Sequence, residues 1–476
     1  VVVVGAGPAG LTLAYLLVQQ GARVTVLERD SVVGGISRTV EYRGYRFDIG
    51  GHRFFTKIAP VQALWETLLG DELLTVPRLS RIHYDGRYFD YPLKARNALT
   101  GLGPINALRI LGSYIAARIT PYPQENTFEE WVVNRFGRRL YEIFFRTYTE
   151  KVWGIPCTEI RAEWAAQRIQ GLSLTKAILN STGLNRRSSA IKSLITSMSY
   201  PRLGPGQMWD ACRDRVLAMG GTVLIERDVT GVEVQGGVAC AVTTSGVHGA
   251  ERFEADHVVS TADLRALVRA LGPAATPTTH TAAEGLRYRD FLVVSLVLDG
   301  DSYFPDNWIY VHTPGVKVGR IQNFKNWSPA MVPDEGRTCL GLEYFCFEHD
   351  DLWSSSDERL IQLAIDELET LGLASRASVV DGTVVRMAKA YPIYDGEYRA
   401  HLDIVRSALD AIPNLHTIGR NGMHKYNNQD HSMYTAMLTA ENMLGTHPAG
   451  APHDVWAVNT DFEYLEEQRV ERGAGG

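Results

Sequence analysis

The 476-residue chain is long enough for two or three domains, and its 45% hydrophobic and 21% charged residues describe an ordinary soluble globular protein. A net charge of −6 with no basic stripe argues against a nucleic-acid partner. Cys157, Cys212, Cys240, Cys339 and Cys346 are odd in number and never spaced C-x-x-C, so neither a disulfide framework nor a metal site is expected, and the reducing cytoplasm is the expected compartment.

The first predicted elements are a strand, a glycine turn, an apolar helix and a second strand, all within "VVVVGAGPAGLTLAYLLVQQGARVTVLERD". Gly5, Gly7 and Gly10 occupy the three places of G-x-G-x-x-G: a tight turn, close approach to a pyrophosphate, and packing of helix on strand. The helix N-terminus then faces the phosphates, where its dipole and free N–H groups favour negative charge. Glu28 ends the second strand, where a carboxylate accepts from ribose hydroxyls. Strand, turn, helix, strand and acid together predict a dinucleotide site.

Gly34, Gly35 and Arg38 follow as a second glycine loop ending on a basic residue. This pair of loops resembles the FAD-binding start of the amine oxidase and phytoene desaturase superfamily, which implies FAD as cofactor with Arg38 beside its pyrophosphate. A short strand then leads into "DIGGHRFFTK", where Gly50 and Gly51 bring backbone close to whatever His52 touches.

Residues 76–203 read as mainly helical. "INALRILGSYIAARI" (105–119) is the longest apolar run, but Asn106, Arg109 and Arg118 interrupt it at helical spacing, so an amphipathic packing helix is expected rather than an integral membrane segment. "TFEEWVVNRFGRRLYEIFFRTYTEKVW" opens with a Thr127-x-x-Glu130 capping box. Strands are predicted in 220–234 and 253–263, the latter running into a helix, and again in 413–420 before a helix that Gly445 closes. Residues 276–385 alternate strand-like segments with one helix. The expected fold is therefore α/β: a Rossmann-like FAD-binding domain assembled from 1–75, 204–275 and 386–447, a helical substrate or cap domain at 76–203, a sheet-containing substrate domain at 276–385, and a C-terminal extension at 448–476.

"GGHRFF", "YFDYPL", "TYTEKVWGIPCTEIRAEWAAQRI" and "YNNQDHSMYTAM" narrow the likeness: together they resemble the UDP-galactopyranose mutase family, its eukaryotic members more than its bacterial ones. The resemblance implies an NDP-sugar pyranose/furanose mutase in which reduced flavin N5 is the nucleophile on the anomeric carbon. It implies diphosphate-clamping arginines at Arg168 and Arg320, and phosphate-binding tyrosines at Tyr310, Tyr391 and Tyr426. Tyr91 and Trp153 fall beside the sugar, and Arg420 faces flavin or substrate phosphate. Val229, Gly419, Asn428, Asp430 and Ser432 fall on the flavin side, where Asp430 or Ser432 equally suits plain helix N-capping. His52 falls near the flavin N5 edge, with a pKa that moves with redox state. The implied substrate is UDP-galactose or a related NDP-hexose. NADPH or NADH is the implied reductant, docking transiently over the flavin because no second complete dinucleotide fingerprint is present.

Leu93, Lys94 and Thr149 stand where the family carries other residues, which bears on the sugar more than on the reaction. Two other readings share the fold: an FAD-dependent oxidoreductase, of amine oxidase, protoporphyrinogen oxidase or sugar-nucleotide dehydrogenase type, and a flavin-free binding protein akin to GDP dissociation inhibitors. An amine or porphyrin needs no diphosphate clamp, which sets the oxidoreductase apart.

Overall fold

A computed structural model of the chain describes residues 1–93, 95–162, 192–194, 196–447, 451–459 and 467–469. Arg168 and most of the C-terminal extension lie outside the described residues.

One end of the fold is a five-stranded parallel sheet whose spatial order is Thr222–Leu224, Thr25–Leu27, Val2–Val4, Val258–Ser260, Leu415–Thr417. These strands come from three separate stretches of chain. A parallel sheet must be covered on both faces, and the valine run at the start allows it. Val3 faces Leu11, Trp65, Trp209 and Met433 on one side. Val2 and Val4 face Leu264, Val268 and Val405 on the other. The helices Pro8–Gln19 and Gln429–Leu444 cover the first face; Leu264–Leu271 and Tyr398–Asp410 cover the second.

A seven-stranded mixed sheet forms the second layer. Its longest-paired strand, Tyr288–Asp299, lies second from one edge, antiparallel to Arg337–Cys346 on one side and to the edge strand Val379–Pro392 on the other. Alternate residues of that strand serve two cores: Phe291, Val293 and Val297 face the helical segment, while Leu292, Val294, Leu296 and Leu298 face the core shared with the helix Asp357–Thr370. The hairpin Ser80–Tyr84 and Arg87–Asp90 extends the sheet through the parallel pair Trp308↔Ser80. The stretch expected to be mainly helical thus contributes two strands to the seven-stranded sheet.

In the helical segment, the capping box forms: Glu130 N–H donates to Thr127 Oγ1 at 3.3 Å, and Thr127 N–H to Glu130 Oε2 at 2.9 Å. The helix Phe128–Phe136 stops at Gly137, φ +81°, where a Cβ would lie 2.7 Å from Tyr114 N, so only glycine lets the two helices meet this closely. Among the described residues no helix is long and apolar enough to cross a membrane, and all five cysteines are free thiols.

Asp48, at the end of the strand Tyr45–Asp48, is fully buried, with the Tyr200 and Thr39 hydroxyls on its carboxyl oxygens. Burial pushes its pKa up to about 8, the two hydroxyl partners offsetting that only in part. When Asp48 is protonated, the Tyr200 hydroxyl can accept from it and turn its own proton to Met331 Sδ, 3.3 Å away. The folded chain therefore holds one proton that the unfolded chain releases near pH 3.8. Stability falls as pH rises from about 4 to about 8, by a few kcal/mol for a shift of this size. Chemical denaturation at stepped pH should show this slope, and Asp48→Asn should flatten it. An unchanged slope would assign it to other groups.

Candidate functional site

A single cavity of about 1190 Å³ runs from the glycine turn to the helical segment. At the first end, Gly5 and Gly7 lie between the strand Val2–Val4 and the helix Pro8–Gln19. Gly5 has φ +96°, and Gly7 lies so near Gly35 that a Cβ on Gly7 would stand 3.9 Å from the Gly35 Cα. Both Gly7 and Gly35 line the cavity. Gly10 lies behind the wall, its missing side chain filled by the Gly5 carbonyl oxygen 1.9 Å from where a Cβ would be. The Glu28 carboxylate accepts from Ala6 N–H at 2.6 Å and Asp30 N–H at 3.0 Å, bracing the turn while it lines the cavity. Burial raises its pKa, the two N–H donors opposing that. Val229 lines the same end, from the strand Asp228–Gln235.

In mid-cavity, Gly50, Gly51 and His52 follow the strand Tyr45–Asp48 and meet the segment from Gly419 to Ser432. Gly419 N–H donates to Thr435 Oγ1 at 3.0 Å, and Asn427 Nδ2 to the Gly419 carbonyl at 3.0 Å. Gln429 Nε2 donates to the Arg53 carbonyl at 2.9 Å, tying the two loops together. Asn428, Asp430 and Ser432 all line the cavity at the start of the helix Gln429–Leu444. Asn428 is the residue at the N-cap position, so the capping alternative for Asp430 or Ser432 is corrected: both already lie inside the first turn.

At the far end the side chains are aromatic and cationic. Arg320 starts the strand Arg320–Asn323 directly opposite Glu343 in register, and its Nε pairs with the Glu343 carboxylate. Arg320 Nη2 donates to the Tyr391 hydroxyl at 2.9 Å. Gln322 Nε2 holds the other Glu343 oxygen at 2.7 Å. Arg420 donates to the carbonyls of Ala390 and Asn427 at 2.8 and 2.9 Å. Its guanidinium lies 4.7 Å from the Tyr391 ring and 4.3 Å from the Tyr426 ring. Those two rings stack 5.6 Å apart, and Trp153 crosses Tyr426 at 6.0 Å. Tyr91 stacks on Tyr310 at 4.2 Å.

Two guanidiniums face this end, and Glu343 is paired with that of Arg320. His52 is driven down to about pKa 3 by burial, then by Arg420 and Arg320, so its ring is neutral at any physiological pH. Burial also pushes the Tyr310, Tyr391 and Tyr148 hydroxyls up, only partly opposed by Arg320, so all three remain proton donors. Two arginines sharing one tyrosine, with their aromatic neighbours, form a socket for a multiply charged, hydrogen-bond-accepting anion.

The fold thus brings together His52, Tyr91, Trp153, Tyr310, Arg320, Tyr391, Arg420 and Tyr426. It sets Arg38 apart: the guanidinium pairs with Asp30 and does not line the cavity, so its charge is spent on the loop. The redox-responsive proton expected of His52 has the two arginines against it. Glu343 and Tyr148 were not picked out from sequence. Glu343 is the lone acid in the apolar strand Arg337–Cys346, a signal that a buried cation must answer it. Tyr148 stacks flat on His312 at 4.6 Å and 4°, five residues before Trp153 in the same "YTEKVWG" motif.

Five residues of the cavity lining carry a side-chain atom shut off from solvent without a partner of standard geometry: His52 Nδ1, His312 Nδ1, Asn421 Oδ1, His424 Nδ1 and Gln429 Oε1. Native interiors rarely leave such atoms unanswered. Together with the glycine cradle at Gly7 and Gly35 and the cavity-lining Glu28 carboxylate, they fit an elongated dinucleotide.

The sequence model for flavin containing amine oxidoreductases matches residues 8–440. A probable UDP-galactopyranose mutase from Klebsiella pneumoniae is 27% identical over 173 residues, 34% of this chain and 43% of that protein, so the alignment spans under half of that relative. A crystal structure of reduced UDP-galactopyranose mutase superposes with TM-score 0.83 at 23% identity, covering 97% of this chain and 99% of that one. A putative protoporphyrinogen oxidase from Exiguobacterium sp. 255-15 superposes with TM-score 0.68 at 18% identity, covering 94% and 98%. A family match over nearly the whole chain, on a fold and cavity of this shape, makes the protein a flavoprotein with FAD as the implied cofactor: the chain belongs to the flavin containing amine oxidoreductase family.

Proposed function

We propose that the protein is an FAD-dependent NDP-hexose pyranose/furanose mutase, with UDP-galactose or a related sugar nucleotide as substrate. The observation that carries this reading is the pair Arg320 and Arg420 on the shared Tyr391, at the end of the cavity beyond His52. An amine substrate would be repelled by these charges, whereas a sugar-linked diphosphate is matched by them. When bound, the reduced flavin would supply the nucleophile for the anomeric carbon.

The chain's own residues would do the rest. Arg320 and Arg420 hold the diphosphate and stabilise the negative charge that grows on it as the sugar bond breaks. Glu343 fixes the Arg320 fork so that little reorganisation is needed. Tyr310, Tyr391 and Tyr426 donate hydroxyl protons to phosphate oxygens, and Arg168 is proposed as a further phosphate contact. Tyr91 and Trp153 close over the sugar and keep water out. His52, uncharged, gives a hydrogen bond at the flavin edge. NADPH or NADH is the proposed reductant, 1–75 with 204–275 and 386–447 the proposed FAD domain, and the cytoplasm the proposed compartment.

Titrating the flavin-loaded protein with uridine, UMP and UDP tests the clamp. UDP should bind at least about tenfold tighter than UMP, since charge-assisted hydrogen bonds are worth roughly 1.5–3 kcal/mol. Arg420→Ala should erase most of that difference. Equal affinities for the three would contradict the reading.

A further inference from the structure

The helix Pro104–Ile119 is buried on one side through Ile110, Tyr114 and Ala117. Its opposite side is not the polar face that Arg109 and Arg118 led one to expect. Ile105, Leu108, Leu111, Ile115 and Ile119 are 67%, 70%, 42%, 50% and 74% exposed, five of the fifteen large exposed hydrophobics among the described residues. The others are scattered over many elements.

At 3.6 residues per turn the outward arc reads Leu111, Ile115, Leu108, Ile119, Gly112, Ile105, Ala116, roughly 140° of unbroken apolar surface. Arg118 borders it on one edge and Arg109 on the other, both exposed. The charges do not interrupt the stripe; they frame it. No Asp or Glu occurs between Asp90 and Glu125, while Lys94, Arg96, Arg109 and Arg118 do, in a chain of net charge −6. A contiguous exposed apolar face of this kind marks a contact surface.

We infer that the outer face of Pro104–Ile119 docks the protein on an anionic phospholipid surface, its aliphatic stripe entering the headgroup–acyl boundary and its two flanking arginines reaching the phosphates. Long cationic side chains bordering an apolar stripe suit such a boundary, since the stem lies along the apolar layer and the head stays with the phosphates. A second copy of the chain fits less well. Self-pairing would set this all-cationic segment against itself with no carboxylate to answer it. One face of a 16-residue helix also falls short of the roughly 800 Å² per partner of a standard stable interface. The contact is peripheral, and independent of the substrate proposed above.

Co-sedimentation of the flavin-loaded protein with phosphatidylcholine vesicles, with and without phosphatidylglycerol, tests this. Binding to the anionic vesicles, weakened by salt, is expected. Leu108→Glu with Ile119→Glu should lower the partition coefficient more than tenfold. Arg109→Gln and Arg118→Gln should each lower it about fivefold. Val247→Glu, at a residue 77% exposed elsewhere, should leave it unchanged. Unchanged flavin spectra and melting curves would exclude misfolding. No binding to anionic vesicles, or binding indifferent to the helix variants, would overturn the inference. So would variants that instead halve the lipid-free protein's hydrodynamic mass, which would make the face a self-interface.

Discussion

Arg320→Ala should unsettle the fold as well as the site. Glu343 is fully buried, and its carboxylate is held by Arg320 on one oxygen and Gln322 on the other. Removing the guanidinium strands a buried acid, which typically costs about 3–5 kcal/mol. Denaturant titration should show a loss of that order, together with the loss of UDP affinity. Arg320→Ala combined with Glu343→Gln separates the two effects. With the charge gone from both partners, stability should return most of the way while UDP binding stays lost. If the double variant binds UDP normally, Arg320 is a structural ion pair and not a phosphate ligand.

Gly10→Ala should have the second largest effect, against a nearly silent neighbour. A methyl at Gly10 would press on the Gly5 carbonyl at 1.9 Å and its carbon at 3.1 Å, backbone atoms that cannot rotate away. The helix Pro8–Gln19 must then lift off the central strand, which should cost at least about 3 kcal/mol, the upper end for overpacking. Purification should yield little protein and little flavin. At Gly7 a methyl meets nothing closer than 3.9 Å within the chain. Gly7→Ala should therefore fold with near-normal stability yet lose flavin, because the methyl occupies the line along which a pyrophosphate approaches the turn. Equal flavin content in wild type and Gly7→Ala would place the phosphates elsewhere.

What the sequence made legible was local. The turn at Gly5, Gly7 and Gly10, the acid at Glu28 and the capping box at Thr127 are contiguous motifs whose geometry is fixed within a few residues. The cationic end of the cavity is different in kind. Arg320 meets Glu343 because two antiparallel strands set them in register, and Arg420 meets Tyr391 across two elements. No periodicity in either segment announces those partners; only the family resemblance pointed to the arginines, and Glu343 escaped it. The helix Pro104–Ile119 shows the complementary failure. Its existence was readable from its apolar content, but which side it buries is decided by Phe128–Phe136 and its neighbours, so its outward face could not be read from spacing alone. Arg38 belongs with these, since its partner Asp30 is near in sequence but the loop's turn decides where the guanidinium goes.

In the proposed function the cavity serves a redox-neutral rearrangement of a sugar nucleotide. Anaerobic incubation of the flavin-loaded protein with UDP-galactopyranose and other NDP-hexoses, once with oxidised and once with dithionite-reduced flavin, measures it directly, with products separated by ion-pair chromatography. A mutase should yield a new isomeric sugar nucleotide from the reduced protein alone, abolished in the Arg320→Ala, Glu343→Gln double variant. Bleaching of the oxidised flavin by a substrate without dithionite, and no isomer in either state, would contradict it and make the protein an oxidoreductase.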